Sequence, residues 1–415
     1  MTTLPDGARF ALEIAFWLCA GAPVYSYLVY PVVVLLASRL FGRTPAPPRD
    51  AGLPTVALVI AAHNEAQVLR DRIRSALDTD YPPDRFRVVI ASDGSDDATP
   101  RICAEFGARI QPLLFPARRG KATTIQDAVA RTRAEIIILS DANTFLDSDA
   151  VRLLVRWFAD PTVGVVCGRL VLTDPATGLN ADGLYWRYET CLKAWEARLG
   201  ALLGANGAIY AIRRDLLGPI PSNTIVDDFV IPLAATLRTG CRLVYEPRAV
   251  AREESAPDLR AEFGRRVRIG IGGWRSLSVL SPLLSPAHGW TALAFWSHKI
   301  LRWACPLMLL GALAASVALA ARPFFAALAL AQVLFHAACF FGAVGPTRGV
   351  LRLGGMFFAM NAALLIAFAR WVGGGVRGRG AQDGTWRRTA RSTPPDPRPC
   401  APSPRTTPDT LARTG

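Results

Sequence analysis

The chain has 415 residues, of which 51% are hydrophobic, and its 47 basic against 33 acidic side chains give a formal charge of +14. This length leaves room for more than one domain, and the apolar content excludes a chain that is disordered throughout. The charge would suit nucleic acid, but the sequence holds no nucleic-acid-binding motif and its basic runs contain no interleaved aromatic residues. Arginines beside membrane segments explain the charge better, so we expect membrane lipids and no nucleic acid as partners.

Cysteine and lysine are distributed in an informative way. The eight cysteines are scattered with no CxxC pair, which disfavours a disulfide framework or a zinc site and favours reduced thiols in a cytosolic domain. The chain has only three lysines, which are Lys121, Lys193 and Lys299. In this arginine-rich background, a lysine is either a remnant of the composition or a position where a compact point charge is needed.

The first predicted element is an N-terminal transmembrane helix over residues 10–41. This apolar stretch is long enough to cross the ~30 Å hydrocarbon core of a bilayer. Three arginines follow it, at positions 39, 43 and 49, whereas only Arg9 precedes it. The positive-inside rule therefore predicts that the N-terminus lies outside and that the next residues lie in the cytosol. Residues 44–55 have the composition of a proline-rich linker.

Residues 45–255 alternate between apolar strand runs and helical spacing. We predict strands at 56–62, 87–92, around 109–114 and at 135–140, with helices at 65–78, from about 96, and at 121–133. This alternation indicates an α/β domain with a mostly parallel sheet covered on both faces. Ligands bind such sheets at the carboxyl ends of the strands. Polar clusters lie at three of these ends, namely His63-Asn64-Glu65, Asp93 to Asp97, and Asp141-Ala142-Asn143.

Two of these polar segments are candidates for nucleotide binding. Asp93 ends its strand, where a carboxylate can accept a hydrogen bond from a nucleobase or ribose; the alternative is a well-capped turn, which explains Ser95 and Asp96 better than Asp93. Arg118, Arg119 and Lys121 precede a helix, and such a cluster at a helix N-terminus suits a pyrophosphate. A simple basic loop is the alternative. No Walker A or dinucleotide-binding glycine pattern is present in the right context.

Two acidic segments are candidates for metal binding and for proton transfer. Asp141 and Asn143 are spaced like two ligands on one side of an extended segment, which fits Mg²⁺ or Mn²⁺ held together with substrate phosphates. Both residue types are also common in turns. Asp227 and Asp228 begin a helical run, where the helix dipole already favours acids. A carboxylate in that position is also suited to act as a general base.

The C-terminal part of the chain is predicted to be membrane-associated. Residues 256–300 alternate arginines with apolar residues, which indicates amphipathic interface helices. Residues 301–373 form a C-terminal transmembrane region with two spans at 303–321 and 323–344. A third apolar stretch at 353–369 is short and is expected either to span the membrane or to lie in the interface. The tail at 374–415 is rich in arginine and proline and is predicted to be disordered. Its charge favours the cytosol, whereas counting three spans places it outside.

The motifs taken together, in their order, resemble a bacterial membrane-embedded family 2 glycosyltransferase. This group includes the cellulose, chitin, hyaluronan and poly-N-acetylglucosamine synthases. The similarity covers roughly residues 10–373. The motifs that carry it are AHNE (62–65), SDGSDD (92–97), RRGKA (118–122), SDANT (140–144), GANGAIYAIRR (204–214), DDF (227–229) and RRVRIGIGGW (265–274).

The resemblance implies a nucleotide-sugar-binding GT-A domain inserted between transmembrane helices, at the bacterial inner membrane with the catalytic domain in the cytosol. It implies an inverting hexosyl transfer from a UDP-sugar, with Mg²⁺ or Mn²⁺, onto a growing glycan, and C-terminal spans that border an export path. Polysaccharide export partners are then possible. The implied donor-side and catalytic roles are Glu65 and Asp93 for uridine, Lys121 for the diphosphate, Asp141 with Asn143 for the metal, and Asp228 as the catalytic base. The implied acceptor residues are Gly204, Gly207, Arg265, Arg266, Arg268 and Trp274, with Tyr185, Trp186 and Glu189 nearby.

Three departures from the family pattern leave alternatives open. Asn143 stands where many relatives have a second aspartate, and Val226-Asp227-Asp228 replaces Thr-Glu-Asp. The arginine motif at 265–269 lacks the glutamine and tryptophan of the processive synthases, which puts polymer synthesis in question. The alternatives are the transfer of a single sugar to a polyprenyl phosphate or other lipid, and a non-catalytic nucleotide-sugar-binding subunit of an export complex.

Overall fold

We describe the protein from a computed structural model. It describes residues 5–377 except 44–45, 48–51, 175–176, 178–182, 256–258 and 346–348. Most of the predicted tail at 374–415 lies outside the described residues.

The central feature is an eight-stranded mixed sheet. Its strands are β1 (Val56–Ala62), β2 (Phe86–Asp93), β3 (Gln111–Phe115), β4 (Ile136–Asp141), β5 (Phe145–Leu146), β6 (Val163–Thr173), β7 (Tyr210–Arg213) and β8 (Arg242–Glu254). The strand order is β3-β2-β1-β4-β7-β6-β8-β5. The β3-β2-β1-β4 half is parallel, β7 runs antiparallel to both of its neighbours, and β6 pairs in parallel with β8. The predicted mostly parallel α/β sheet is therefore confirmed.

Helices cover the sheet and extend beyond it. They are α1 (Asp6–Val24), α2 (Tyr30–Leu40), α3 (Ala66–Leu77), α4 (Thr99–Glu105), α5 (Lys121–Ala130), α6 (Ala150–Val155), α7 (Leu184–Arg198), α8 (Asp227–Thr239), α9 (Leu259–Leu280), α10 (Trp290–Ala294), α11 (Leu301–Ala318), α12 (Pro323–Val344) and α13 (Gly349–Arg377). A π-helical turn at Tyr25–Val29 joins α1 to α2, and another at Phe295–Ile300 joins α10 to α11.

The sheet is buried on both faces because its central strands are apolar along their whole length. Every residue of β1 is buried. One core layer packs α3 and α6 against β1, β2 and β4, and the other packs α5 and α8 against the opposite face. A two-sided core of this kind requires continuous apolar runs rather than alternation, which explains why the runs VALVIAA and IIILS predict strands.

Four helices in the described residues are long and apolar enough to cross a membrane. They span Asp6–Leu40, Trp290–Ala318, Pro323–Val344 and Gly349–Gly374. The chain is therefore membrane-associated, as its apolar segments predict. The second span begins at Trp290 and thus includes residues that the sequence pattern assigned to the interface region 256–300. The last span is longer than the predicted stretch 353–369.

Glycines in α9 allow it to pack closely against both the membrane helices and the sheet domain. A Cβ on Gly270 would lie 2.7 Å from Ala367 Cβ of α13, and one on Gly273 would lie 2.8 Å from the Trp303 ring. A Cβ on Gly272 would lie 3.0 Å from Ile225. Small residues permit such close approach of helices. This packing holds the arginine-bearing part of α9 over the carboxyl end of the sheet.

Candidate active site

The sequence-predicted polar residues converge on one cavity of about 190 Å³ at the carboxyl ends of β1 and β4. The loop before β7, the N-terminus of α8 and the helix α9 close its other sides. Its ionisable lining consists of five carboxylates and three cations, which are Glu65, Asp141, Asp227, Asp228, Glu253, Lys121, Arg265 and Arg268. The formal charge of these side chains is therefore −2, which opposes the binding of a diphosphate unless additional positive charge is supplied.

Lys121 occupies the centre of the acidic side. Gly120 adopts φ +95°, and this turn starts α5 so that Lys121 is its first residue. The Nζ atom donates to Asp141 Oδ1 at 2.8 Å and lies 3.0 Å from Asp227 Oδ1. Burial by itself lowers the pKa of Lys121, but Asp141 and Asp227 outweigh it and hold that pKa above its usual value. Lys121 therefore stays protonated at neutral pH.

Asp227 is buried, unlike the neighbouring Asp228, which lines the cavity. Burial raises the pKa of Asp227, Lys121 lowers it, and Asp228 raises it. The net result is a pKa above the usual value of an aspartate. Two adjacent acids at the start of α8 thus have different surroundings. Asp227 is bound to the lysine, and Asp228 faces the open space.

Gly207 separates Asp228 from Asp141. Its backbone N–H donates to Asp228 Oδ2 at 2.9 Å, and the Ala205 N–H donates to the Asp228 carbonyl at 2.8 Å. A Cβ on Gly207 would lie 3.2 Å from Asp141 Oδ2 and 3.5 Å from Asp228 Oδ2. The absence of a side chain here leaves a small space with a carboxylate on each side.

Asn143 has a partner that the sequence pattern did not predict. Its Nδ2 donates to Glu253 Oε1 at 3.0 Å, and both residues line the cavity. A carboxylate from β8, 110 positions further along the chain, therefore lies next to the asparagine that replaces the second aspartate. Only the fold brings β8 to this edge of the sheet, so no local signal could have revealed Glu253.

The oxygen-rich lining fits a divalent cation that also binds substrate. Asp141 supplies a carboxylate and Asn143 a neutral amide, which are typical ligands for Mg²⁺ and Mn²⁺. Among the described residues, no group of three or more His, Cys, Asp or Glu side chains is arranged to hold a metal alone. A metal here would therefore take its remaining ligands from a phosphate-bearing substrate or water.

The other donor-side residues differ in exposure. Glu65 is 5% exposed and lines the cavity at the start of α3. Asp93 is fully buried, and its two carboxylate oxygens accept the backbone N–H groups of Arg119 and Gly120 at 2.7 and 2.8 Å. Asp93 thus fixes the basic loop that leads into Lys121, and it does not line the cavity. Its contact with uridine stays a prediction.

The predicted acceptor residues separate into two groups. Gly207, Arg265 and Arg268 line the cavity. In contrast, Arg266 pairs with Glu262 at 2.6 Å and lines a neighbouring cavity, and Trp274 stacks on Trp371 at 5.4 Å between α9 and α13. Gly204 lies beneath the cavity, with φ +83° and a would-be Cβ 3.0 Å from Phe229 Cα.

Arg268 lines the same cavity as the carboxylates. Among the described residues, it forms no ion pair with any of them. Burial and the nearby Arg265 lower the pKa of Arg268, while Asp141 and the two aspartates of α8 raise it. A guanidinium keeps its charge under such conditions. Arg268 is therefore available to an anionic ligand of this cavity.

Arg72 is a buried support for Asp141. It is 0% exposed, and its Nη2 donates to Ser140 Oγ at 3.0 Å while its Nε lies 3.5 Å from the Asp141 carbonyl. Burial lowers the pKa of Arg72 to about 9, against the opposing effect of Asp141. The sequence contained a signal for the burial of Arg72. This residue lies next to Ile73 and three residues after Leu69, so helical spacing places it on the apolar face of α3.

Part of the chain matches a known protein family. Residues 57–218 match the family described as Glycosyl transferase family 2. The chain contains a family 2 glycosyltransferase domain. Asp228 and the arginines of α9 follow the matched segment of this domain, so their placement in its cavity comes from the structure.

Similar proteins with this domain include membrane-lipid and polysaccharide synthases. A beta-monoglucosyldiacylglycerol synthase of Synechocystis is 28% identical in an alignment 308 positions long, which covers 68% of this chain and 63% of that protein. A poly-beta-1,6-N-acetyl-D-glucosamine synthase of Staphylococcus epidermidis is 24% identical over 52% of this chain and 54% of that protein. The alignments thus span less than two thirds of the length of either relative.

A solved structure shares the fold over most of the chain. It is a mannosyltransferase of Pyrobaculum calidifontis in complex with GDP-mannose and Mn²⁺, with a TM-score of 0.67 and 23% identity. The match covers 87% of this chain and 99% of that one. It supports the GT-A fold of the family 2 domain together with its flanking helices.

Proposed function

We propose that this protein is an inverting glycosyltransferase that moves a hexosyl group from a UDP-sugar to a hydroxyl acceptor at the membrane. One observation carries the proposal. Asp141 Oδ2 and Asp228 Oδ2 both lie within 3.5 Å of the position that a Cβ on Gly207 would occupy. The same cavity holds Lys121, Arg265 and Arg268. Asp141 is paired with Lys121, whereas Asp228 forms no ion pair among the described residues.

The acceptor side is assigned to Asp228. The acceptor oxygen forms a bond to the anomeric carbon while the bond from that carbon to the diphosphate oxygen breaks, and the hydroxyl proton passes to Asp228. General-base work of this kind contributes roughly 10²–10⁴-fold to a rate. The Gly207 N–H holds one oxygen of Asp228, which orients the carboxylate toward the acceptor.

The donor side is assigned to Lys121, Arg268 and the Asp141 region. The leaving diphosphate gains negative charge, which the ammonium and guanidinium groups stabilise. Mg²⁺ or Mn²⁺ would be held by Asp141 and Asn143, and when bound it supplies further neutralisation of the diphosphate. The −2 formal charge of the lining gives a reason for such a cation to accompany the diphosphate. Glu65 and Asp93 are proposed to contribute to the nucleoside side.

The acceptor is either a growing glycan or a lipid. A polymer product follows from the similarity to poly-N-acetylglucosamine synthase, and the membrane helices would then border an export path. Single-sugar transfer to a lipid is a second candidate, because the relative that aligns over 68% of this chain is named for a glycolipid product. The arginine distribution around the first span favours the cytosolic face of the bacterial inner membrane as the site of transfer.

The decisive experiment uses the full chain in detergent or nanodiscs with a panel of UDP-sugars and with GDP-mannose. We expect sugar-dependent release of UDP that needs Mn²⁺ or Mg²⁺ and stops with EDTA, together with a glycosylated product identified by mass spectrometry. Product length separates polymer from one-sugar lipid. Binding of UDP without release or transfer from any donor would instead indicate a non-catalytic nucleotide-sugar-binding subunit.

A further inference from the structure

The other two lysines of the chain line a second cavity beside the active site. Lys193 of α7 and Lys299 of the span Trp290–Ala318 face this space of about 170 Å³. It shares Leu170, Trp186 and Asn206 with the active-site cavity. The two cavities are therefore adjacent and share part of their walls, and each of the three lysines of the chain lines one or the other of them.

The two glutamates of the second cavity already have partners. His298 Nε2 lies 3.0 Å from Glu189 Oε2, and His298 Nδ1 lies 2.7 Å from Glu196 Oε1. Arg302 also pairs with Glu189. Each glutamate is thus engaged by a side chain other than a lysine.

The two lysines of the second cavity have no such partner. Lys193 Nζ donates to Asn206 Oδ1 at 2.9 Å, and Lys299 Nζ lies 5.4 Å from the centre of the Phe229 ring. Within the described ranges of the chain, neither ammonium has a carboxylate within ion-pair distance, whereas Lys121 has two. Together with Arg302, the two lysines outnumber the two glutamates, and this excess of positive charge suits an anion.

We propose that the second cavity binds a phosphate group of the acceptor, held between Lys193 and Lys299. The inference rests on the proposed glycosyl transfer and specifies its acceptor class. A phosphate carries one or two negative charges and accepts charge-assisted hydrogen bonds from both ammoniums. Phe229, whose ring lies 5.4 Å from Lys299 Nζ, follows Asp228 in the chain. With its phosphate beside Lys299, the acceptor would extend its hydroxyl past the residues that both cavities share to reach Asp228. The phosphate itself does not react.

The test compares acceptors that differ in their phosphate. The full chain in nanodiscs is given the active UDP-sugar and phosphatidylcholine vesicles that contain phosphatidylglycerol, which has a phosphate and free hydroxyls, or diacylglycerol, which has only the hydroxyl. Glycerol phosphate supplies the same phosphate group in a water-soluble molecule. Lys193→Met, Lys299→Met and the double variant are compared with Thr190→Val, a neutral change in the same wall.

We expect the phosphate-bearing acceptor to be preferred and its KM to rise about tenfold or more for each lysine variant, because a charge-assisted hydrogen bond contributes on that scale. In each lysine variant, the KM for diacylglycerol should change less than the KM for the phosphate-bearing acceptor. If glycerol phosphate competes with the lipid, the headgroup phosphate is sufficient for recognition. If only phosphatidylglycerol binds, the lipid is the source.

Binding measured by calorimetry, with glycerol phosphate and with phosphatidylglycerol in detergent micelles, keeps the proposal testable without turnover. Equal binding by wild type and the double lysine variant would overturn it, as would wild-type protein that binds neither phosphate source. An absence of UDP release by the wild type, with lysine-dependent phosphate binding intact, would count against the proposed transfer reaction and not against the second cavity.

Discussion

The carboxylates of Asp141 and Asp228 both border the space that a side chain at Gly207 would occupy. A Cβ there would lie 3.2 Å from Asp141 Oδ2 and 3.5 Å from Asp228 Oδ2. The φ angle of Gly207 is not in the left-handed region, so backbone conformation does not require glycine at this position. The space itself is what requires it.

Gly207→Ala should therefore impair catalysis while leaving the fold intact. The added methyl group would crowd both carboxylates in the space where the donor and acceptor must meet, and we expect kcat/KM to fall by about 10- to 100-fold, since small displacements of reacting groups have effects of that size. Steady-state UDP release measures the effect. Gly183→Ala is the matched control, because a Cβ there meets nothing within 4 Å. Wild-type activity in Gly207→Ala would contradict the assigned geometry.

Asp228→Asn should remove transfer and retain donor binding. The amide oxygen can still accept the Gly207 N–H, so local structure is preserved, but the side chain can no longer take the acceptor proton. We expect kcat to fall by about 10²–10⁴-fold, with an unchanged Kd for UDP in the presence of Mn²⁺. Asp71→Asn, a change at an exposed surface acid, should leave both quantities unchanged. Lost UDP binding in folded Asp228→Asn would contradict the role of a base.

Asn143→Asp should make metal affinity more dependent on pH. An aspartate at this position loses the hydrogen bond to Glu253 and places two carboxylates in contact. Like charges raise the pKa of one carboxyl of the pair, so the extra carboxylate is available to a metal at high pH and is lost to protonation as the pH falls. We expect tighter Mn²⁺ binding than wild type at pH 8 and a smaller gain at pH 6, measured by calorimetry with UDP present.

The control for this prediction is Glu253→Gln, which keeps a polar partner for residue 143 without the second charge. The double variant should bind Mn²⁺ with a weaker pH dependence than Asn143→Asp alone. An Mn²⁺ affinity that is the same in wild type and Asn143→Asp at both pH values would show that residue 143 lies outside the metal site.

Glu246→Gln should lower stability at neutral pH. Glu246 is 2% exposed and accepts hydrogen bonds from Arg248, Arg156 and Trp157. Burial raises the pKa of Glu246, but these hydrogen bonds outweigh it and hold that pKa below its usual value. The stabilisation that these hydrogen bonds give to the folded state is therefore fully present above the pKa of Glu246 in the unfolded chain, about 4.3. It is lost as the pH falls through the lower pKa that Glu246 has in the folded protein.

We expect Glu246→Gln to lower the apparent melting temperature of the solubilised protein at pH 7, by an amount equivalent to about 1–3 kcal/mol. The difference from wild type should shrink below pH 4, where the wild-type carboxylate also becomes protonated. Glu105→Gln, at an exposed pair with Arg70, should change the melting temperature little. A difference that is constant from pH 7 to pH 3 would rule out the ionised carboxylate as its cause.

Much of the sheet domain was predictable because its local patterns agree with its fold. The continuous apolar runs of β1 and β4 predict strands in a sheet that is buried on both faces, and the polar residues after them are expected at the ligand-binding edge. Asp141, Lys121 and Asp228 do meet there. Three membrane-spanning segments were also expected, and the stretch 353–369 was expected either to span or to lie in the interface. The structure has helices long enough to span in all four places, and two of them extend well beyond the apolar cores that the sequence shows.

The remaining features depend on contacts between distant parts of the chain. Glu253 reaches the cavity because β8 pairs in parallel with β6, a register that no local motif encodes. Arg266 and Arg268 are two positions apart and so point in different directions from α9, which places them in different cavities. Trp274 is held by aromatic rings of α11 and α13, a contact set by helix packing rather than by the motif that surrounds it.

Tyr30 of the first membrane helix is fully buried, and its hydroxyl donates to Glu196 at 2.8 Å. It belongs to the same apolar cluster as Leu192, Phe229 and Phe295, so one continuous core runs from the first span to the residue that follows the proposed base. The family 2 domain is therefore not an independent unit that the first helix only attaches to the membrane. Removing the first helix would strip one wall from the interior of the domain, and purification strategies that discard the membrane segments should yield aggregated protein rather than a small active enzyme.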